Sequence, residues 1–225
     1  MNYEDIISLL KSMANPYNVA GMARFGINPD NTLGISVADL RSIAKKIGKQ
    51  HALANQLWSS GIHEARILAC LIDDPKQITT EQMERWVRDF DSWDVCDLCC
   101  IHLFRKTTFA YEKAAEWTER EDEFERRAGF VLIATLAVHE KKAGNEIFEA
   151  FLSVIKQKAA DERNFVKKAV NWALRQIGKR NRILNSAAIK TAEEIRSLNT
   201  KSARWVANDA IRELASEKVQ VGLKE

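Results

Sequence analysis

Apolar residues recur along this 225-residue chain at three- and four-residue intervals, the spacing that gives a helix one buried face. Tyr3 to Leu10 begin a short amphipathic helix over 3–14, which ends before Asn15-Pro16 because the residue ahead of a proline is pushed out of the helical region. A second helix runs from Asn18 to about Gly26 and leads into the turn-rich Asn28-Pro29-Asp30-Asn31-Thr32-Leu33-Gly34. Further helices are predicted at about 37–47, 50–59, 63–72, 80–90, 93–105, 109–119, 122–138, 143–158, 163–178, 184–197 and 201–215. Ser36, with Asp39 three residues on, caps the first of these, and Gly48 ends it. The short connections make sequential helices antiparallel neighbours. Helix 93–105 stands apart: from Val95 to Phe104 only Asp97 and His102 are polar, so it is apolar nearly all round and should be buried. Asp91 or Ser92 is placed to cap it.

A faint repeat runs through these helices. Ala65-Arg66-Ile67-Leu68-Ala69, Arg127-Ala128-Gly129-Phe130-Val131, Lys168-Ala169-Val170-Asn171-Trp172 and Ala203-Arg204-Trp205-Val206-Ala207 each set a basic residue at the start of a small, apolar helical stretch. Asp97 takes the corresponding place in its own helix. The irregular intervals between these positions fit an all-α, HEAT-like helical-repeat α-solenoid better than a fixed-period array. Stacked helix pairs bring equivalent positions to one concave surface, so Arg66, Asp97, Arg127, Lys168 and Arg204 should line a basic groove. One domain is expected over 1–225, with an amino-terminal helical cap at 1–35, helix pairs over 36–216 and a tail at 217–225.

Composition narrows the choices. Only three prolines, all in the first third, leave the rest free to be helical. No apolar run reaches the roughly 20 residues of a membrane span, and Met-Asn-Tyr-Glu-Asp is acidic where a signal peptide is basic, so a cytoplasmic protein with no membrane partner is expected. Cys96, Cys99, Cys100 and His102 lie too close on one helix to wrap a tetrahedral ion, and a chain of this length has no need of a disulfide framework; no metal site is expected. The remaining histidines, His51, His63 and His139, have no acidic or cysteine partner that the sequence can point to. Without a phosphate-cradling glycine motif, no cofactor is expected either.

The net charge is only +3, but its distribution matters. Residues 161–225 carry 14 Lys and Arg against 8 Asp and Glu, a balance of +6, which leaves −3 for residues 1–160. Positions 163–192 hold eight basic residues and no acid. Such a block suits a polyanion or is a solvated face balancing an acidic one.

Two tryptophans differ from their fellows. Trp58, Trp86 and Trp117 sit at core spacing on their helices. Trp93 shares a face with Asp97, four residues on, and Trp172 follows Lys168 by four and precedes Arg175 by three. Aromatic faces between cations can lie against a sugar or base while Arg and Lys hold phosphates. Asp97 is the anomaly: a carboxylate on an apolar helix is costly unless paired or facing a wet cleft, and the helix N-terminus accounts for Asp94 but not for Asp97, beyond the first turn.

Phe90-Asp91-Ser92-Trp93-Asp94-Val95-Cys96-Asp97, Arg126-Arg127-Ala128-Gly129-Phe130 and Asn164-Phe165-Val166-Lys167-Lys168-Ala169-Val170-Asn171-Trp172-Ala173-Leu174-Arg175 resemble the AlkD-type DNA alkylation repair family of HEAT-like alkylpurine DNA glycosylases, in order and over about residues 15–215. The resemblance implies a crescent of helices that grips double-stranded DNA and removes N3- or N7-alkylated purines. It also implies that the catalytic aspartate is Asp97, the sugar-facing tryptophans Trp93 and Trp172, and the active-site arginine Arg127. Arg66, Lys168, Arg175, Lys179 and Arg204 are then the candidate DNA-binding residues, in a protein expected to act as a monomer. Related paralogues bind branched or bent DNA with little or no glycosylase activity, so a non-catalytic DNA-structure binder is the alternative. A protein–protein scaffold is a third.

Overall fold

The computed structural model describes residues 1–223. Among them are fourteen α-helices, one short 3₁₀ turn and no strand. They fall into two compact units, Met1–Phe109 and the chain from Ala110 on. The first holds α1 (Tyr3–Ser12), α2 (Pro16–Arg24), α3 (Val37–Ile47), α4 (His51–Ser59), α5 (His63–Ile72), α6 (Thr80–Arg88) and α7 (Trp93–His102), followed by the 3₁₀ turn Phe104–Lys106. The second holds α8 (Ala110–Thr118), α9 (Glu123–His139), α10 (Asn145–Lys158), α11 (Asn164–Gly178), α12 (Arg182–Arg196), α13 (Lys201–Leu214) and α14 (Glu217–Gly222). None of the described helices is long and apolar enough to cross a membrane.

Local chemistry sets most helix ends. Asn2 and Asp5 form a reciprocal capping box at α1. The Ser36 hydroxyl accepts from the Asp39 N–H and donates to its carboxylate, and Gly48 ends α3 at φ 75°. Three predicted boundaries change. Asn15-Pro16 begins α2 instead of merely ending α1: Asn15 caps the Tyr17 and Asn18 N–H groups, and proline at the first helical position loses only an N–H that has no partner there. Helix α7 stops at His102, with residues 104–106 tightened into the 3₁₀ turn. The predicted tail contains α14; its last two residues, Lys224 and Glu225, lie outside the described residues.

In the first unit α5 packs on α3, α4 and α7. Trp58 and Trp86 stack nearly parallel at 4.0 Å, with Phe90 edge-on to Trp58, and Trp86 is fully buried as its spacing predicted. In the second unit α9 packs between α8 and α11 and is buried from Arg127 through Ala137. Gly129 permits that approach, since a Cβ there would meet the Thr118 backbone nitrogen at 2.5 Å.

Asp161 joins α9 to the start of α11, 9% exposed, with Arg126 at 2.8 Å and Arg163 at 2.5 Å. Burial alone would raise its carboxyl; the hydrogen bonds from Arg163 and Arg126 outweigh it and hold the pKa at about 2. A depressed carboxylate stabilises the fold above its unfolded pKa and loses that contribution as pH falls through the folded value. Asp161→Asn is therefore expected to remove about 1–2 kcal/mol at pH 7 after solvent screening. The gap between variant and wild type should close between about pH 4 and pH 2, as read from urea melts at several pH values. An equal gap across that range counts against the assignment.

Candidate active site

The lead-in to α7 is held at every residue from Asp89 to Asp94. Asp89 accepts from Trp58 Nε1 at 2.8 Å through its side chain and from Arg66 Nη1 at 2.9 Å through its carbonyl. Asp91 accepts from the Asn28 amide at 3.0 Å, and the Ser92 hydroxyl from the Asn28 N–H at 2.9 Å. Ser92 occupies the N-cap position but makes no cap bond with its side chain, contrary to the capping expectation, because its oxygen is committed to the 28–34 loop. Trp93 Nε1 donates to the Phe25 carbonyl at 3.1 Å. Asp94 meets His63 Nε2 at 2.9 Å, with both residues buried.

His63 thus has an acidic partner that the sequence did not indicate, and so does His51, 2.7 Å from Asp73. Burial lowers the affinity of His63 for a proton, but the hydrogen bond and charge of Asp94, aided by Glu64 and Asp91, more than reverse this and raise its pKa above the usual imidazole value. The structural explanation of Asp94 is therefore firmer than the helix terminus alone.

Beneath this lead-in lies Glu64, 0% exposed on α5. Its carboxylate accepts three backbone N–H bonds, from Leu33 at 2.8 Å, Gly34 at 2.7 Å and Ile35 at 3.2 Å. The Asn15 N–H donates to the Leu33 carbonyl at 2.7 Å, so the same loop carries the start of α2. Gly34 is required here: its φ is +80° and a Cβ would collide with the Asn15 carbonyl. Between α2, this loop and α7 is an apolar hollow of about 450 Å³ whose walls include Trp93, Tyr17, Met22, Phe25, Ile35 and Val37.

Trp93 and Asp97 are both partly exposed, one turn apart, on a helix whose Val95, Cys96, Cys99 and Cys100 are fully buried. Burial pushes the Cys99 thiol well up, with Cys70 hydrogen-bonded to it, so these cysteines act as small apolar side chains. Arg66 has only 16% of its side chain exposed; its head lies 5.5 Å over Trp58 and 3.9 Å from Asp91, and it braces the start of α7.

The second unit places the other predicted residues along α9, α11 and α13. Arg127 is 5% exposed and donates to the Phe165 carbonyl at 2.6 Å, while the Phe124 and Phe165 rings lie 5.5 Å apart. These contacts fix the first turn of α11 against α9. Lys168 is exposed and Trp172, one turn later, is half-buried. With the Gln176 amide oriented so that its oxygen faces Trp172 and Lys179, it accepts from the indole N–H at 3.1 Å and from Lys179 at 3.2 Å.

The acid-free block 163–192 receives countercharge from α13 and from the preceding turn. Glu213 pairs with Arg175 and with Lys179 (2.7 Å), Asp209 lies 3.8 Å from Arg175, and Asp161 pairs with Arg163. Burial would raise the Glu213 carboxyl, but Lys179 and Arg175 hold it below its usual range. Arg180 is spent on the carbonyls of Ala137, Glu140 and Ala143. Lys168, Arg182, Lys190 and Arg204 remain exposed, Arg204 bonded to Asn199 at 2.6 Å. Exposed Trp205 carries the Lys167 ammonium 5.3 Å over its ring, a contact between α11 and α13 that no spacing within either helix signals.

These helices form the fold of HEAT-like repeat proteins related to DNA glycosylases. A solved structure described as "A new family of proteins related to the HEAT-like repeat DNA glycosylases with affinity for branched DNA structures" superposes with TM-score 0.82 at 19% identity, covering 100% of this chain and 98% of its own. Residues 6–214 match the family of DNA alkylation repair enzymes, and the chain belongs to that family. Its relatives include the uncharacterized proteins Lin0241 of Listeria innocua, 24% identical, and Lmo0209 of Listeria monocytogenes, 23% identical. Each alignment spans 200 residues and 87% of both chains.

Proposed function

We propose that this protein is a DNA glycosylase that hydrolyses the N-glycosidic bond of cationic N3- or N7-alkylated purines in double-stranded DNA. The observation that carries the reading is the pairing of Trp93 and Asp97, one turn apart and partly exposed, on a helix that buries Val95, Cys96, Cys99 and Cys100 and whose start is tied to α2, α4, α5 and the 28–34 loop. A group that must meet a developing charge gains from such rigidity, because no reorganisation is needed at the moment of reaction.

An alkylated purine already carries positive charge and leaves as a neutral base, so no strong general acid is needed. The bond between C1′ and the purine nitrogen breaks with its electron pair going to the base. Cationic character grows on C1′, where the Asp97 carboxylate stabilises it and orients the attacking water. Water oxygen bonds to C1′ and its proton passes to solvent, leaving an abasic site and the free base. The Trp93 face adds attraction that strengthens as the sugar becomes cationic. In the second unit Trp172 offers the same kind of face, exposed Lys168 and Arg204 are proposed to contact backbone phosphates, and buried Arg127 is proposed to act by holding the first turn of α11, which precedes Lys168 and Trp172, in place.

The deciding assay is release of 7-methylguanine from methylated duplex DNA. Release above the spontaneous rate is expected. A second reading is supported by the fold neighbour with affinity for branched DNA: a binder of DNA structures without excision. It predicts tighter binding to a junction than to duplex, with no base released.

A further inference from the structure

A second cationic site lies in the first unit, at the C-terminal ends of α3, α5 and α7. These ends leave a hollow of about 340 Å³ lined by Arg41, Lys45, Lys49 and His102, over a floor that includes Ala44 and Leu71. Arg41 Nη2 is 3.4 Å from His102 Nε2. A guanidinium can only donate, so Nε2 accepts and the imidazole is neutral with its proton on Nδ1. Arg105 and Lys106 extend the cluster from the 3₁₀ turn. The charges that act on His102 are, after burial, those of Arg41, Lys106, Arg105 and Lys49, and together they push its pKa down to about 4. Lys106 is likewise pushed down by burial, Arg105 and Lys49.

Cations near helix C-termini often complement the helix dipole, and that accounts for Lys49, which donates to the carbonyls of Leu71 and Asp73 at 3.0 and 2.6 Å. It does not account for Arg41, in the second turn of α3, nor for a half-buried imidazole held among cations. Asp73 is hydrogen-bonded to His51 and Gln82, and Asp74 to Gln77 and the Lys76 N–H, while the Lys49 charge also acts on Asp74. Clustered like charge costs folding energy, and it is a feature of sites where an outside partner supplies the counter-charge.

We propose that the Arg41–Lys45–His102 cleft is a phosphate-binding subsite that takes a backbone phosphodiester of nucleic acid. This rests on the DNA reading above and extends the footprint to residues outside the repeat positions. A phosphate seated there reverses the field on His102, so its imidazole should take up a proton more readily when the site is filled.

The test measures affinity of the full-length protein for duplex DNA across salt concentrations, for wild type, Arg41→Gln/Lys45→Gln and the charge-retaining Arg41→Lys/Lys45→Arg. Losing one phosphate contact should flatten the slope of log affinity against log salt by about 0.9 and weaken binding about tenfold at 0.1 M salt. The charge-retaining variant should match wild type, and thermal melts confirm that both variants fold. In parallel, the His102 ring resonance should shift toward the protonated position on adding duplex. Glutamine variants that bind like wild-type protein overturn the subsite while leaving the DNA reading intact. A wild type that binds no duplex overturns both. A His102 shift with inorganic phosphate but not with duplex overturns the backbone assignment in favour of a small phosphorylated ligand.

Discussion

Asp97→Asn is expected to leave duplex binding within a few fold of wild type while slowing release of 7-methylguanine at least about 100-fold, the loss typical of removing one electrostatic catalytic group. Asparagine keeps the size and planarity of the side chain, so packing around Val95, Cys96 and Cys100 should be undisturbed. What disappears is the negative charge that meets the cationic sugar. Because the lesion supplies its own leaving-group charge, no second protein acid is available to mask the loss. The measurement is a single-turnover excision rate on methylated duplex, paired with an affinity measurement on the same substrate. Excision within a few fold of wild type would remove Asp97 from the mechanism; parallel loss of binding would make it a structural residue.

The second large effect concerns stability. Glu64→Gln changes one atom but puts an amide N–H₂ where a carboxylate oxygen now faces the backbone donors of Leu33, Gly34 and Ile35. At least one buried N–H then faces another donor, and the remaining bonds lose their charge assistance. An unsatisfied buried donor costs about 1–3 kcal/mol and a charge-assisted bond contributes about 1.5–3 kcal/mol, so a total loss of roughly 3 kcal/mol is expected. That is a large fraction of the stability of an ordinary domain. The loop held by Glu64 also carries α2 and the wall of the hollow beside Trp93, so excision should fall even where the variant remains folded. Urea melts read the first effect, and a variant within about 0.5 kcal/mol of wild type would show that the three N–H groups have other partners.

Several residues reached their roles through signals that a sequence carries. Pro16 was visible, yet its meaning reversed: the same Asn15-Pro16 that ends one helix is a good start for the next, and only the position of the following turn distinguishes them. Trp58, Trp86 and Trp117 were legible as core because spacing alone places them on apolar faces. Ser92 has an ideal side chain for an N-cap, but a partner 64 residues away takes its hydroxyl. Glu64 reads as an ordinary acid in the first turn of a helix, and nothing local tells that it is fully buried under a loop 30 residues upstream. Arg175 and Lys179 read as members of an acid-free block, whereas Glu213 sits against them from a helix 34 to 38 residues on.

The sequence by itself determined the helices and the placement of Trp93 and Asp97 one turn apart on one helix, because each depends on periodicity within one turn or on residue types within one segment. Tertiary structure decided which charges are spent. His63 on Asp94, Glu64 on three backbone N–H groups and Glu213 on two cations are all long-range pairings that no local pattern links. Burial and the company of other charges are properties of the packed chain, and they commit Asp94, Glu64 and Glu213 to holding the fold.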